Sequence, residues 1–403
     1  MKACNNLYLS KPGVICCAGT SPQALFNAVL SGDTSGIVPI THNGKTYPEG
    51  YVSESMLPEN SSNTGMDTRL LRMTCASLEQ IRGEIEEAVL RFGADRIAVS
   101  VGTCDNGTEW SLPAHKEFFS TGKFPQVYDI HLQGAPLFAE FIAAKFGIKG
   151  PVWTDAAACA SSASAIVKAA ELIKAGICDA VITGGADIAS SLAIGGFASL
   201  GALSLSHTNP FSKNRNGINL GDGAAFFVLS GSPLCATKKP ATNIKILGYG
   251  ESADAYHMTS PHPKGKGALQ AMRDALLSAQ LEARNISYIN LHGTGTKQND
   301  AMESTAIAEL FSGEEQALVS STKPITGHTL GAAGALELAI CVMTLYNGHE
   351  ALVPVHCWDG VYDDELPPLR FAQKGASVKG MQNIMSSSFA FGGCNTCIII
   401  GGE

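Results

Sequence analysis

No apolar run in this 403-residue chain approaches the ~18 residues that a membrane-crossing helix needs. The opening stretch MKACNNLYLSKPGVICCAGT has an apolar patch but no uninterrupted leader-like core, so it reads as a first strand. Charge is also scarce: 16% of residues are Asp, Glu, Lys or Arg, and the net charge is −8. Without a Lys/Arg run or alternation of basic and aromatic residues, general nucleic-acid binding is excluded. Low-complexity tracts and collagen-like periods are missing as well. The 12 cysteines follow no regular spacing. Without an export signal they read as free thiols of a reducing compartment, and the cytoplasm is the expected location. CNTC (394–397) has the CxxC spacing of redox and metal sites. Residues three apart on a strand face opposite sides, so this pair is expected to pack rather than chelate, and no metal is expected.

What the chain has is hydrophobic residues, 45% of the total, and 43 dispersed glycines. That balance describes a well-buried protein, and its length suggests two domains or two fused halves. ASLEQIRGEIEEAVLRFG places Leu78, Ile81, Ile85, Ala88, Val89 and Phe92 on one face of a single helix. It runs into RIAVSVGT (96–103), a buried strand ending at glycine, and CDAVITGGAD (178–187) repeats the design. Further strands are expected in NIKILGYGE, ISYINLHGT, EQALVSSTK and NTCIIIGG, with helices over 265–281, 300–311 and 331–346. Such alternation predicts an α/β protein with largely parallel sheets buried on both faces. The polar segment 230–243 is the best boundary, dividing the chain into residues 1–235 and 236–403.

Three residues stand where chemistry could occur. Cys159 lies where the strand of VWTDAAACASSASAIV turns into an Ala/Ser-rich helix. A thiol there gains thiolate character from the helix N-terminus, whose N–H groups can also hold an oxyanion. His292 follows an apolar strand and precedes a Gly-Thr-Gly-Thr turn, at the strand end where open α/β sheets place catalytic groups. His328 is introduced by Gly327 and followed by a Gly/Ala-rich helix. Near the C-terminus, SFAFGGCN sets two phenylalanines around a glycine turn that could gate a pocket.

These stretches, with GALSLSHTNPFSKNRNGINLGDGAAFFVLS (201–230), HGTGT and TKPITGHTLGAAGALE, resemble the β-ketoacyl-[acyl-carrier-protein] synthases, types I and II. The similarity to these thiolase-superfamily condensing enzymes extends over nearly the whole chain. It implies a layered αβαβα fold from two similar halves with mixed sheets. The N-terminal half would carry Cys159 as nucleophile, and the C-terminal half both histidines and the gating loop. The family lysine falls on Lys323, expected to orient His328 together with Glu337 or Glu303. Asp300 and Glu303 match the acidic positions after the first histidine. Phe391 matches the gating phenylalanine, whose backbone N–H would join that of Cys159 in the oxyanion hole. Phe389 lies beside it, and Gly392 and Gly393 would let the loop swing. Thr294 and Thr296 would bond the phosphopantetheine arm, and Phe197 would line the acyl pocket.

The resemblance implies an acyltransferase that extends an acyl chain from malonyl thioester, with substrates carried on acyl carrier protein and no resident cofactor. Housekeeping fatty-acid elongation is the default expectation, and a polyene or polyketide pathway the second. A homodimer is expected, with pairing to a related subunit open. A non-catalytic partner subunit (a chain-length factor) is the alternative, although such homologues usually lose the nucleophile that Cys159 retains. Arg69, Arg72, Lys213 and Arg215 are candidates for docking the acidic carrier. Two departures stand out: Ala160 where Ser or Thr is common, and KQND (297–300) where a Gly-Asp pair is usual. A thiolase would need a second cysteine where His328 stands, and a type III enzyme an asparagine; both fit less well.

Overall fold

Phe226, Phe227, Val228 and Leu229 are all fully buried, but alternate residues join different cores. Phe227 and Leu229 face one helical layer while Phe226 and Val228 face another, as the two-residue strand period requires. Ile398, Ile399 and Ile400 divide in the same way. A strand apolar on both faces must be sandwiched, and this sets the architecture.

The computed structural model describes residues 6–60, 67–105, 107–234, 243–348 and 350–402. Its strands are β1 (Tyr8–Leu9), β2 (Gly13–Cys16), β3 (Ile37–His42), β4 (Lys45–Gly50), β5 (Ile97–Gly102), β6 (Val152–Asp155), β7 (Ala180–Asp187) and β8 (Gly223–Ser230). They continue as β9 (Ile244–Ala253), β10 (Tyr288–Asn290), β11 (Leu318–Ser320), β12 (Glu350–Leu352), β13 (Ser377–Lys379), β14 (Asn383–Phe389) and β15 (Cys394–Gly402). The helices are α1 (Pro22–Ser31), α2 (Arg69–Glu79), α3 (Arg82–Phe92), α4 (Thr108–Thr121), α5 (Pro136–Phe146) and α6 (Ser161–Lys174). After them come α7 (Ser191–Ser199), α8 (Lys266–Ala279), α9 (Lys297–Leu310), α10 (Lys323–Thr326) and α11 (Ala333–Tyr346).

The strand order is β6-β5-β7-β8-β2 in the N-terminal half and β11-β10-β14-β15-β9 in the C-terminal half, with β1 joining β8 to β9. In each half the first two of these pairings are parallel and the last two antiparallel. The halves therefore repeat one topology. Helices α6 and α11 fill the space between the two half-sheets, burying Ile166, Ala170, Leu336 and Ile340 against Phe227 and Ile398. Helices α2, α3 and α5 cover the outer face of one half-sheet, and α8 and α9 that of the other. The result is the αβαβα layering of the thiolase-like fold.

Two local expectations change. The single helix of 76–93 is two helices that part at Ile81 (φ −117°, ψ 18°), next to Gln80, whose side-chain amide bonds the backbone of Val14 at both N (3.2 Å) and O (2.8 Å). Leu78, Ile81, Ile85 and Ala88 are buried, as that face predicted, while Val89 and Phe92 are only half-buried. The polar boundary segment does connect β8 to β9, but its residues 235–242, which hold the 235/236 division, lie outside the described residues. Among the described residues ten cysteines stand outside any disulfide, and Cys397 is packed in the outer core beside Ser387. No helix among the described residues is long and apolar enough to cross a membrane.

Candidate active site

Strand β6 ends at Asp155, and α6 begins six residues later, so the chain must turn sharply through Ala157 and Ala158. Ala158 adopts φ 48°, a left-handed conformation that costs a non-glycine residue about 1–2 kcal/mol. Its carbonyl accepts from Ser161 Oγ (2.6 Å) and Cys104 Sγ (3.0 Å), which hold the turn in place. Cys159 is thereby presented from the strand-to-helix corner.

His292 stands two residues beyond β10, as the strand-end reading requires. His328 arrives differently. It follows the single turn of α10 and Gly327 (φ 69°), and its N–H donates to the carbonyl of Asn219 at 2.7 Å. These separate routes bring the Cys159 sulfur and one nitrogen from each ring within 4.8 Å of one another. Nε2 of His328 is 3.0 Å from Sγ, and the two imidazoles meet edge to face at 5.4 Å between centroids.

Burial dominates the electrostatics. It pushes the Cys159 thiol up to about 12, although the Lys323 ammonium and the Phe391 N–H act in the opposite direction. The resting sulfur is a thiol, and the thiolate character expected from the helix terminus is outweighed. Both imidazoles are held well below their usual pKa, first by burial and then by Lys323, so both rings are neutral. Nδ1 of each ring meets no hydrogen-bond partner among the described residues. Among the described residues no partner at Nδ1 pins either tautomer, and Nε2 of His328, which faces the Cys159 sulfur, is able to accept or donate a proton.

Lys323 corrects one expectation. Its buried ammonium bonds the carbonyl of His292 (2.5 Å) and pairs with Glu337, so it braces the first histidine rather than the second. Burial pushes Glu337 up to about 7, with Lys323 holding it partway down. Glu303 accepts the N–H groups of His292 and Gly293, both at 2.8 Å, which fixes the turn carrying the first imidazole. Asp300 accepts from Phe211 N (2.7 Å) and Gly295 N (3.2 Å), closing the same turn from the other side. Asn299 was not singled out in the sequence. Its buried amide lies between these carboxylates, 3.3 Å from Asp300 and 3.4 Å from Glu303. It belongs to the unusual KQND stretch, and an uncharged donor between two acids is the physical signal it carries.

A cavity of about 360 Å³ reaches this centre. Thr294, Thr296 and Gln298 line it, as do Phe197, Phe389 and Phe391. The Phe391 N–H is directed at the Cys159 sulfur, while its ring lies 5.6 Å from that of Phe197. Gly392 (φ 86°) and Gly393 (φ 80°) occupy conformations suited to glycine. A Cβ on Gly393 would meet Asp254 at 2.8 Å, so that glycine is also needed for close approach. Gly392 N bonds Met258 O at 2.8 Å, tying the loop to residues 254–261.

The docking candidates divide. Arg69 is buried and paired with Asp222 (2.6 Å) and Glu54, and Arg215 is buried and bonded to Asp363 (2.5 Å). Both are structural ion pairs, because desolvated guanidinium groups require such partners. Arg72 bonds Glu54 at 2.8 Å, and Lys213 alone among the four is largely exposed.

The chain matches the family models for the β-ketoacyl synthase N-terminal domain over residues 65–232 and C-terminal domain over 244–355. It is 31% identical to 3-oxoacyl-[acyl-carrier-protein] synthase 2 of Coxiella burnetii across 96% of each chain. Among solved structures it resembles a chain of the ketosynthase (ApeO) in complex with its chain length factor (ApeC) from Xenorhabdus doucetiae. That match has a TM-score of 0.87 and 35% identity, covering 100% of this chain and 99% of the other. The ishigamide ketosynthase/chain length factor follows with a TM-score of 0.83 and 25% identity, covering 99% of both chains. With the cysteine and two histidines gathered in this duplicated fold, the chain belongs to the β-ketoacyl synthases of the thiolase superfamily, the acyltransferase-type condensing enzymes that act with acyl carrier protein.

Proposed function

We propose that this protein extends a carrier-bound acyl chain by two carbons through decarboxylative Claisen condensation. The convergence of the Cys159 sulfur with His292 and His328 inside the cavity carries this reading. In the first half-reaction the thiol attacks the acyl thioester while His328 Nε2, 3.0 Å away, takes its proton. The N–H groups of Cys159 and Phe391 hold the tetrahedral oxyanion. The proton then passes to the departing pantetheine sulfur, leaving acyl-Cys159 and free carrier thiol.

In the second half-reaction malonyl thioester loses CO2, and its electron pair becomes an enolate. Neutral imidazoles presenting N–H at Nε2 stabilise the enolate oxygen without a strong acid, in a desolvated site where such donors count most. The enolate carbon attacks the acyl-Cys159 carbonyl, the C–S bond breaks, and the departing Cys159 thiolate takes up one proton from solvent. Thr294 and Thr296, whose hydroxyls are 3.0 Å apart, hold the pantetheine arm. Phe197 and Phe391 contact the acyl chain. The chemistry asks for no resident cofactor. Residues 1–235 contribute the nucleophile, and 236–403 both histidines and the gate.

Fatty-acid elongation is supported by the likeness to 3-oxoacyl-[acyl-carrier-protein] synthase 2. The likeness to ketosynthases complexed with chain length factors supports a specialised chain and pairing with a related subunit, beside the homodimer expected for the family. It also admits a second reading, a non-catalytic partner subunit, but the retained Cys159 and both histidines oppose it. Acyl carriers of graded length and saturation, incubated with the protein and mapped by mass spectrometry, separate these readings. Acylation confined to Cys159, followed by elongation with malonyl carrier, is expected. Untouched Cys159 with every carrier overturns the enzyme reading in favour of the partner role.

A further inference from the structure

Asp187 closes β7 with its carboxylate buried and is not among the cavity-lining residues. One oxygen, Oδ2, accepts two N–H groups from distant segments: Cys104 at 2.7 Å and Gly331 at 2.8 Å. The other, Oδ1, accepts from Ile188 at 3.2 Å. Gly331 lies three residues after His328, and Cys104 donates its thiol to the carbonyl of Ala158, the residue before the nucleophile. The carboxylate thus bridges the two turns that deliver Cys159 and His328.

Each of those turns contains a strained residue, Ala158 at φ 48° and Leu330 at φ 50°. Non-glycine residues hold such conformations only where their surroundings impose them. Close packing enforces the bridge, since a Cβ on Gly331 would meet Asp187 Oδ2 at 2.7 Å and Cys104 N at 2.8 Å. The negative charge of Asp187 also disfavours ionisation of the Cys159 sulfur. Burial pushes the Asp187 carboxyl up to about 7. A buried carboxyl group that works against the nucleophile when ionised and lies outside the cavity lining requires another reason to be there, and the two turns supply it.

We propose that Asp187 is a positioning residue that sets the separation between the Cys159 sulfur and His328 Nε2. This inference rests on the condensing-enzyme reading above. Asp187→Asn keeps an acceptor oxygen, whereas Asp187→Ala removes the acceptor of three N–H groups, those of Cys104, Gly331 and Ile188. The test compares the full-length variants with wild type in Cys159 acylation, CO2 release from malonyl carrier, alkylation of Cys159 by iodoacetamide, and thermal unfolding. We expect both half-reactions to fall, about tenfold for Asn and about a hundredfold for Ala, with KM for both carriers within about twofold. The alkylation rate should change in the same order, per folded molecule. Should the alanine variant not fold, the asparagine variant decides. Wild-type rates per folded molecule in either folded variant, or losses matching only the unfolded fraction, overturn the proposal. A wild-type protein that never acylates Cys159 sinks the enzyme reading instead, and alkylation still reports on the turn geometry.

Discussion

Nε2 of His328 and Sγ of Cys159 lie 3.0 Å apart although 169 positions separate them in the chain. His292 completes the centre from a third segment, and its ring stands nearly perpendicular to that of His328, at 87°. In the proposed decarboxylation, two neutral rings at right angles would present N–H groups to the enolate oxygen from different directions. Replacing either by alanine should slow CO2 release from malonyl carrier by about 10²–10³-fold, or about 3 kcal/mol. With acyl-Cys159 formed beforehand, wild-type CO2 release in either variant would remove that ring from the enolate site.

The pH dependence follows from the same burial. Free imidazole titrates near 6.5, but both rings are held well below that by desolvation and by Lys323. A group whose folded pKa is depressed keeps its deprotonated form as pH falls through the unfolded value. Neither histidine should therefore bend the saturated rate of decarboxylation between pH 8 and 6.5; an inflection there belongs to the buried carboxyl groups such as Glu337, pushed up to about 7. A histidine-dependent inflection near 6.5 in a rate–pH profile would contradict this.

Lys323 and Glu337 form a buried pair, and removing one partner strands the other. Lys323→Met should destabilise the fold by about 3 kcal/mol in urea unfolding. The double variant with Glu337→Leu should recover much of that stability while activity stays low, because the carbonyl of His292 has still lost its ammonium donor. Equal stability of the single and double variants would show that the pair does not act as a unit.

Charge reversal separates structural cations from surface ones. Arg215→Glu and Arg69→Glu place a carboxylate against Asp363 and Asp222 in buried settings, and should lower stability by about 3 kcal/mol or more. Lys213→Glu, at an exposed position, should leave the unfolding midpoint nearly unchanged. Thermal unfolding of the three variants decides, and a stable Arg215→Glu protein would argue against the interior role.

One sulfur and two imidazole nitrogens also have the composition of a zinc site, and they lie close enough to share an ion. In the condensing mechanism these atoms must be free to meet substrate. Prolonged chelation should leave turnover within about twofold, while added zinc should inhibit by occupying the three donors. Loss of activity on chelation, restored by metal, would reassign the centre.

Much of this site was legible in sequence because its chemistry is local. Cys159 at a strand-to-helix corner, His292 after a strand and the glycines around Phe391 each declare themselves within a few residues. The family likeness over HGTGT and TKPITGHTLGAAGALE supplied Lys323, Glu337, Asp300 and Glu303. Less was legible where a distant partner decides. The Gln80 side chain, beside the break at Ile81, bonds the backbone of Val14, 66 positions away. The roles of Arg69 and Arg215 depend on carboxylates 153 and 148 positions away. An arginine that will be buried and one that will face solvent look alike until their acidic partners are known.

Residue order by itself determined the alternation of strands and helices, the apolar strand faces and the identities of the reactive groups. These follow from side-chain periodicity and backbone preference, which act over one or two turns of chain. Only the tertiary structure decided that Lys323 braces His292, that burial keeps Cys159 a thiol, and that Asp187 joins the two catalytic turns. Desolvation and hydrogen-bond pairing depend on which segments meet in space, and that is settled only when the two halves enclose their common core.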